Sequence, residues 1–355
     1  MARDVIKRRG GGDASLLRRL NTVAVLRVLH ERGPATLTEV AAHAEVSRPT
    51  AEDAVGELLG RGLVRESGPP DGPRVVGRPA RRFAFNADAG YVLGIDVGAH
   101  KLYAVAADLC GEVRAGQRVA LDPQAPAPQR VSAMRTALTE VAELAGIDPA
   151  DVRAIGVGTS GIVDATGRVA LSGHLPGWTG LHLPTELAGL CPGAVLVAND
   201  SNMAALAEHW CGVAEGAADV VYILAGRRIS AGILLGGKVH PGRHGAAGEI
   251  GIMRSMGWYD TARLLRDGHA AGEDLVHHLA TGIAATVLTV DPELVVVGGG
   301  LSQAGEKLIG PLRTRLADLC LYPVPVEAST LADRSVALGA VRLALDEVER
   351  ELFTA

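Results

Sequence analysis

Apolar residues recur at three- and four-residue steps along the front of the chain. Leu16, Leu20, Val23, Val25 and Leu29 form the first such series, as a helix packed along one side requires, and "ERGPA" breaks it. The next segment, "TLTEVAAHA", opens on Thr36 with Glu39 placed as in a capping box, ahead of Leu37, Val40, Ala41 and Ala44 at helical spacing. In "SRPTAEDAVGELLGRG" Ser47 is positioned to cap and Pro49 suits a first turn. Ala51, Val55, Leu58 and Leu59 then share a face until Gly60 and Gly62 stop the helix. Beyond this the period shortens to two: "LVRESG" and "RRFAFN" read as short strands. The Pro- and Gly-rich "PPDGPRVVGRPA" between them predicts a hairpin with Arg74 and Arg78 at its tip.

Three helices with a tight turn between the second and third form a helix-turn-helix, and a following hairpin makes it winged. The third helix would enter a major groove, with Arg48 and Thr50 near its start, while the hairpin arginines would meet phosphates or a minor groove. The plainer alternative is a three-helix dimerisation domain with a solvated arginine loop. Glu52, Asp53 and Glu57 fall on the outward side of the third helix. They would repel phosphate, although a carboxylate can accept a hydrogen bond from cytosine.

The rest of the chain repeats a theme. "YVLGIDVGAHKLYAVAADLCGEV" from Tyr91 and "DVVYILAGRRISAGILLGGKV" from Asp219 each predict a strand, a glycine-containing turn, a second strand and another turn. Between them lie a helix around "QRVSAMRTALTEVAELAG" and strands at "VRAIGVGTSG" and "GAVLVAND", the last running into a helix at "NDSNMAALAEHW". "PELVVVGGGLSQAGEKL" predicts a buried strand, a glycine turn and a helix. Such a turn suits a phosphate and equally suits tight packing. Alternating strands and helices predict an α/β fold of largely parallel sheets, in two lobes that face a cleft.

Composition and charge narrow the function. The chain has 355 residues, 48% hydrophobic, with 45 glycines and 3% aromatics, which suits a globular α/β protein of two or three domains and not a disordered or fibrous one. It shows neither an apolar run of about 18 residues nor an apolar signal core, so a cytoplasmic protein without a membrane span is expected. Residues 1–86 carry 15 Lys and Arg against 10 Asp and Glu, a balance of +5 within a chain of net −5. The front end is therefore the part suited to a polyanion. Cys110, Cys191, Cys211 and Cys320 are scattered, without metal spacing, and read as buried thiols.

The winged helix-turn-helix together with "GIDVGAHKL", "SGHLPGW", "VANDSNMAALAE", "GAAGEIG", "VVVGGGLS" and "LGAVRLAL" resembles the ROK family of repressors and sugar kinases. The resemblance runs from about residue 14 to residue 350. It implies an actin-like ATPase fold, a duplicated ribonuclease H-like domain of two lobes, over 87–355 behind a DNA-binding domain over 1–86. In the family's kinases the Asp of the "NDAN"-like motif is the base for a sugar hydroxyl. The resemblance puts Asp200 there and Asn199 at a sugar contact, although a helix cap would also explain the pair. Glu249 matches a further sugar contact, and His174 stands before "LPGW" where the family often has Asn; as a loop residue it has an equally plain reading.

The departures lie at the phosphate sites. The family's D-x-G-G-T-K reads Asp96-Val97-Gly98-Ala99-His100-Lys101, and G-T-G-I-G-x-G reads "AGRRISAG", with Arg227 and Arg228 in place of small residues. Bulk there would obstruct a phosphate, though arginine can also bind an anion. Ile252 replaces the family's His, and the cysteine-rich zinc segment is missing from "MRSMGWYDTARLLRDG", so neither metal nor cofactor is expected. These features predict a DNA-binding transcriptional repressor that is not an enzyme. It would act on a palindromic operator in double-stranded DNA as a homodimer or tetramer, with a sugar or sugar-phosphate effector at Asn199, Asp200, Glu249 and His174. An active sugar kinase carrying a DNA-binding domain, and a regulator with no small-molecule effector, are the alternatives.

Overall fold

A computed structural model describes residues 10–68, 80–226, 228–266 and 272–354. The chain divides into two compact units. The first takes in the described residues up to Tyr91, with Asp108–Glu112 and the chain's end from Asp346; the second holds Val92–Ala107 and Val113–Leu345.

In the first unit α1 (Gly10–Arg32) precedes β1 (Ala35–Thr36), α2 (Leu37–His43) and α3 (Arg48–Gly60). The capping box is formed as predicted: Thr36 N donates to Glu39 Oε2 at 2.7 Å, and Glu39 N donates to Thr36 Oγ1 at 3.3 Å. Glu45, in a left-handed conformation (φ 54°), makes the turn, and Ser47 caps α3 by accepting from Thr50 N at 3.2 Å. Val25, Leu26 and Leu29 of α1 are buried, with Val40 and Ala41 of α2 and Ala51, Ala54, Val55 and Leu58 of α3. The predicted face of α1 fails at its start, where Leu16 and Leu20 are 49% and 47% exposed. A helix of 23 residues is about 35 Å long, whereas the 13 residues of α3 span about 20 Å, so the first turns of α1 overrun what they pack on.

β2 (Val64–Ser67) and β3 (Arg82–Phe85) pair antiparallel with Val64 opposite Phe85, and β1 adds to β3 to give the order β1-β3-β2. The hairpin is thus a wing on a three-stranded sheet; its predicted tip, with Arg74 and Arg78, lies outside the described residues. The chain's end also belongs here: the Phe353 ring stands 5.3 Å from His30 and 5.2 Å from the Arg27 guanidinium, and His30 meets Phe85 edge-on at 4.8 Å.

The second unit contains both predicted sheets. β4 (Tyr91–Val97), β5 (Lys101–Asp108), β6 (Val113–Ala120), β7 (Val152–Thr159) and, after the small hairpin β8 (Ile162–Val163) and β9 (Val169–Leu171), β10 (Ala194–Asn199) give the order β10-β7-β4-β5-β6. β11 (Val220–Ala225), β12 (Ile229–Leu235), β13 (Lys238–Val239), β14 (Leu294–Gly298) and β15 (Val326–Ala328) give β13-β12-β11-β14-β15. The sheets are mixed and not largely parallel. β7 with β10, and β11 with β14 and β15 in turn, are parallel, whereas β5–β6, β11–β12 and β12–β13 are antiparallel. The connections decide this, since links of two to four residues can close only an antiparallel pair.

The helices are α4 (Ala127–Leu144), α5 (Leu183–Glu186), α6 (Asp200–Cys211), α7 (Trp258–Arg266), α8 (Glu273–Val290), α9 (Glu306–Leu319) and α10 (Ser335–Leu352). No helix among the described residues is long and apolar enough to cross a membrane. The cysteines are not buried as expected: Cys110 and Cys211 are exposed and Cys191 and Cys320 are partly so, because each stands at the end of an element or in a turn.

Glycines bring α6 and α10 onto their neighbours. A Cβ on Gly339 would lie 1.8 Å from Met203 O, one on Gly156 1.9 Å from Ala340 O, and one on Gly232 2.1 Å from Ser201 O. Gly156→Ala and Gly339→Ala should each destabilise by about 1–3 kcal/mol or more and lower the melting temperature. Gly300→Ala, with open space around it, should not; equal melting of all three variants in calorimetry would refute this packing.

Candidate functional site

The DNA-facing candidates sit on α3 and its cap. Arg48 and Pro49 are exposed and Thr50 is partly buried, its hydroxyl 2.7 Å from Ser47 Oγ. Of the three outward carboxylates, Glu57 is paired with Arg18 at 3.5 Å and Arg61 at 3.7 Å, while Glu52 and Asp53 remain exposed.

The second cluster stands at the start of α6. Asn199 ends β10 and caps the helix: its Oδ1 accepts from Ser201 N at 2.8 Å, Asn202 N at 3.3 Å and Ser201 Oγ at 2.5 Å, and its Nδ2 donates to Gly161 O at 2.9 Å. The helix cap therefore belongs to Asn199 and not to Asp200, and the Asn199 side chain is committed to it. Asp200 is the first helical residue, with Oδ1 accepting from Ser201 N at 2.9 Å. Burial raises its pKa to about 7, helped by the nearby charges of Asp96 and Glu249. Asp96, at the end of β4, is likewise pushed up to about 6 by burial against the opposing pull of Lys101. Glu249 is raised by burial and partly restored by Arg228.

Arg228 stands in the turn between β11 and β12. Its Nη1 lies 2.5 Å from His174 Nδ1, and because a guanidinium only donates, the His174 proton belongs on Nε2. Burial and Arg228 both hold the His174 pKa down. Fully buried Trp178 fixes the loop that carries His174, its Nε1 donating to Thr159 Oγ1 at 2.9 Å. His174, Asp200 and Glu249 thus share Arg228 as a neighbour. Ile252 does not fill the cleft, being 80% exposed, and Arg227 lies outside the described residues.

The loop after β4 is held from within. Lys101 Nζ donates to Asp333 O at 3.0 Å and lies 3.3 Å from Asp333 Oδ2 and 3.8 Å from Asp96 Oδ2. Arg130 of α4, fully buried, donates to Gly98 O at 2.6 Å and Ala99 O at 3.4 Å. Sequence reasoning missed Arg130 as a support, and Arg228 entered as bulk or as an anion ligand, not as a partner of His174. The signal for Arg130 was an arginine beside Val131 on the apolar side of a helix. The glycine turn after β14 has a packing reason: a Cβ on Gly298 would lie 1.7 Å from Tyr222 Oη, and Gly299 has φ +71°. Zinc does not fit, since Ile252 and Met253 follow Glu249 and no group of three metal-ligating side chains occurs among the described residues.

A two-lobed unit of paired five-stranded sheets behind a winged helix-turn-helix defines the class: an actin-like domain with a DNA-binding module. The ROK family model matches residues 92–257 and the IclR helix-turn-helix model residues 20–68. Kanosamine kinase of Amycolatopsis mediterranei is 31% identical over 54% of this chain and 77% of its own. The chain belongs to the ROK family. The xylose repressor of Caldicellulosiruptor bescii is 23% identical over 95% of this chain and 98% of its own. A solved ROK family transcriptional regulator, a homologue of the Escherichia coli MLC protein, superimposes with TM-score 0.70 at 19% identity, over 95% of this chain and 98% of its own.

The raised carboxylates make stability depend on pH. A carboxyl whose folded pKa exceeds its unfolded value keeps its proton in the fold, so stability falls as pH rises from the unfolded value near 4 through the folded one. With Asp200 at about 7, Asp200→Asn should raise the melting temperature at pH 8 by more than at pH 5. A gap that stays constant or shrinks with pH would overturn the assignment.

Proposed function

We propose that the protein is a sugar-responsive transcriptional repressor. Residues 1–86 form its DNA-binding domain and 87–355 its sensing and oligomerising one, and it acts in the cytoplasm. The observation that carries this is the capped helix-turn-helix and wing in front of a ROK unit, in a chain that a protein named a xylose repressor matches along nearly its whole length. α3 would read the major groove with Arg48 and Thr50, and Arg74 and Arg78 of the hairpin would hold phosphate. Two copies related by a two-fold axis would read a palindromic operator as a dimer or tetramer. A sugar effector would lie at Asp200, Glu249 and His174, with Asn199 shaping the site as the cap of α6. It would govern DNA binding only by preferring one state of the protein.

A second reading, an active kinase, is favoured by one observation: a carboxyl of pKa about 7 suits a general base. Against it, Arg228 occupies the second phosphate turn, and Lys101 is tied to Asp333. No metal or cofactor is part of the proposal.

Operator duplex selected from random sequence should bind with affinity that falls steeply with salt. Arg48→Ala should weaken it several-fold and reduce the salt slope by about one. Absence of any preferred duplex at low salt would sink the repressor reading. With ATP, Mg²⁺ and a panel of hexoses, pentoses and N-acetylhexosamines, no phosphorylation above background is expected. Turnover that disappears in Asp200→Asn would establish the kinase instead.

A further inference from the structure

We infer that the Asp333 carboxylate, shared by Lys101 and Arg118, couples the cleft to the DNA-binding unit through two elements that start beside it. This rests on the repressor reading and names how one site would answer the other. Asp333 Oδ2 lies 3.3 Å from Lys101 Nζ and 3.5 Å from Arg118 Nε, and the Asp333 carbonyl accepts from Lys101 Nζ at 3.0 Å. Lys101 in turn lies 3.8 Å from Asp96 Oδ2. The end of β4, the β5–β6 pair and the segment between β15 and α10 therefore meet at one cluster of charges. That segment carries Ala332 at φ 53°, a left-handed conformation that an alanine keeps only where its surroundings hold it, and such strain gathers at switches.

Both elements run from this cluster into the first unit. β5 extends from Lys101 to Asp108, and the turn that follows, Asp108–Glu112, belongs to the first unit. There Leu109 N donates to Ala87 O at 3.1 Å. The adjoining Asn86 donates through N to Leu63 O at 2.9 Å and through Nδ2 to Gly62 O at 2.8 Å, directly after α3. α10 opens two residues after Asp333 and its 18 residues span about 27 Å. From Asp346 it too belongs to the first unit, and beyond its end Phe353 meets His30 and Arg27 of α1. Gly339 takes Met203 O, and the carbonyls of Ala337 and Ala340 rest on Gly94 and Gly156, so α10 has no slack near its root. A ligand that changes the balance between Asp96 and Asp333 for Lys101 therefore moves the starts of both elements, and interiors packed this closely pass the shift on.

The test is hydrogen exchange read by mass spectrometry on the full chain, free and bound to its selected operator, because coupling between two sites is reciprocal. Operator should slow exchange in α3 and change it in residues 98–101 by about fivefold or more. Asp333→Asn should keep the first effect and lose the second, with a melting curve that shows a folded protein. Arg118→Gln, at a side chain 65% exposed, removes one of the two cations and should reduce the second effect, and it decides the matter if Asp333→Asn does not fold. Residues 98–101 that ignore the operator while α3 responds, or a response as large in either folded variant as in the wild type, overturns the inference and leaves DNA binding standing. Operator that leaves exchange in α3 unchanged rejects the repressor reading and this inference with it.

Discussion

Two helices of the second unit run so close to the backbone around them that no side chain fits between, and the site hangs from that contact. α10 lays the carbonyls of Ala337 and Ala340 on Gly94 and Gly156 of the first sheet, while its own Gly339 receives Met203 O of α6. α6 in turn sets Ser201 O against Gly232 of the second sheet. Interiors packed at this density transmit shifts without absorbing them. The first turn of α6 and the segment entering α10 are therefore fixed together. Asp200 is on the first and Asp333, which holds Lys101, is on the second.

That geometry has an electrostatic cost. Burial raises the Asp200, Asp96 and Glu249 carboxyls alike, and the charges of Asp96 and Glu249 add to the rise at Asp200, a cost that stability alone would select against. The helix N-terminus favours a carboxylate in its first turn, and Arg228 and Lys101 offset part of the remainder. Capping gives no reason for Asp200, because Asn199 already satisfies the amides of Ser201 and Asn202. Asp200 therefore carries a burial cost that the cap of α6 does not explain.

The parts written in local pattern were legible in the sequence. Thr36 with Glu39, Ser47 with Pro49, and the alternation in "LVRESG" and "RRFAFN" each specify geometry within a few residues, and each element formed where the pattern put it. The glycines of "VVVGGG" left two readings open, and the close approach of Tyr222 to Gly298 favours packing. Side-chain roles set by distant partners were not legible. Nothing near Arg228 in sequence announces His174, 54 positions away, and nothing near Arg130 announces the carbonyls of Gly98 and Ala99. Leu16 and Leu20 kept helical spacing beyond the point where α1 has anything to cover, because periodicity records the helix and not the length of its neighbour. The mixed strand directions followed from loop lengths that were visible in the sequence but given less weight than the alternation of strands and helices.

An Asp with a pKa of about 7 serves binding and catalysis differently. For catalysis the carboxylate must take a proton while a phosphoryl group is held in line by loops free to close on it. For binding either protonation state is useful, since the acid donates to a hydroxyl oxygen and the carboxylate accepts from a hydroxyl hydrogen. Around Asp200, Arg228 is placed on His174 and Lys101 on Asp333, while Arg130 holds the carbonyls of the first loop in place. The carboxyls of Asp200 and Glu249 are the groups there that could meet a sugar hydroxyl. On the repressor reading such a cleft would keep the half of a kinase's chemistry that recognises a sugar, with Arg228 standing where the phosphate turn of the family's kinases has a small residue.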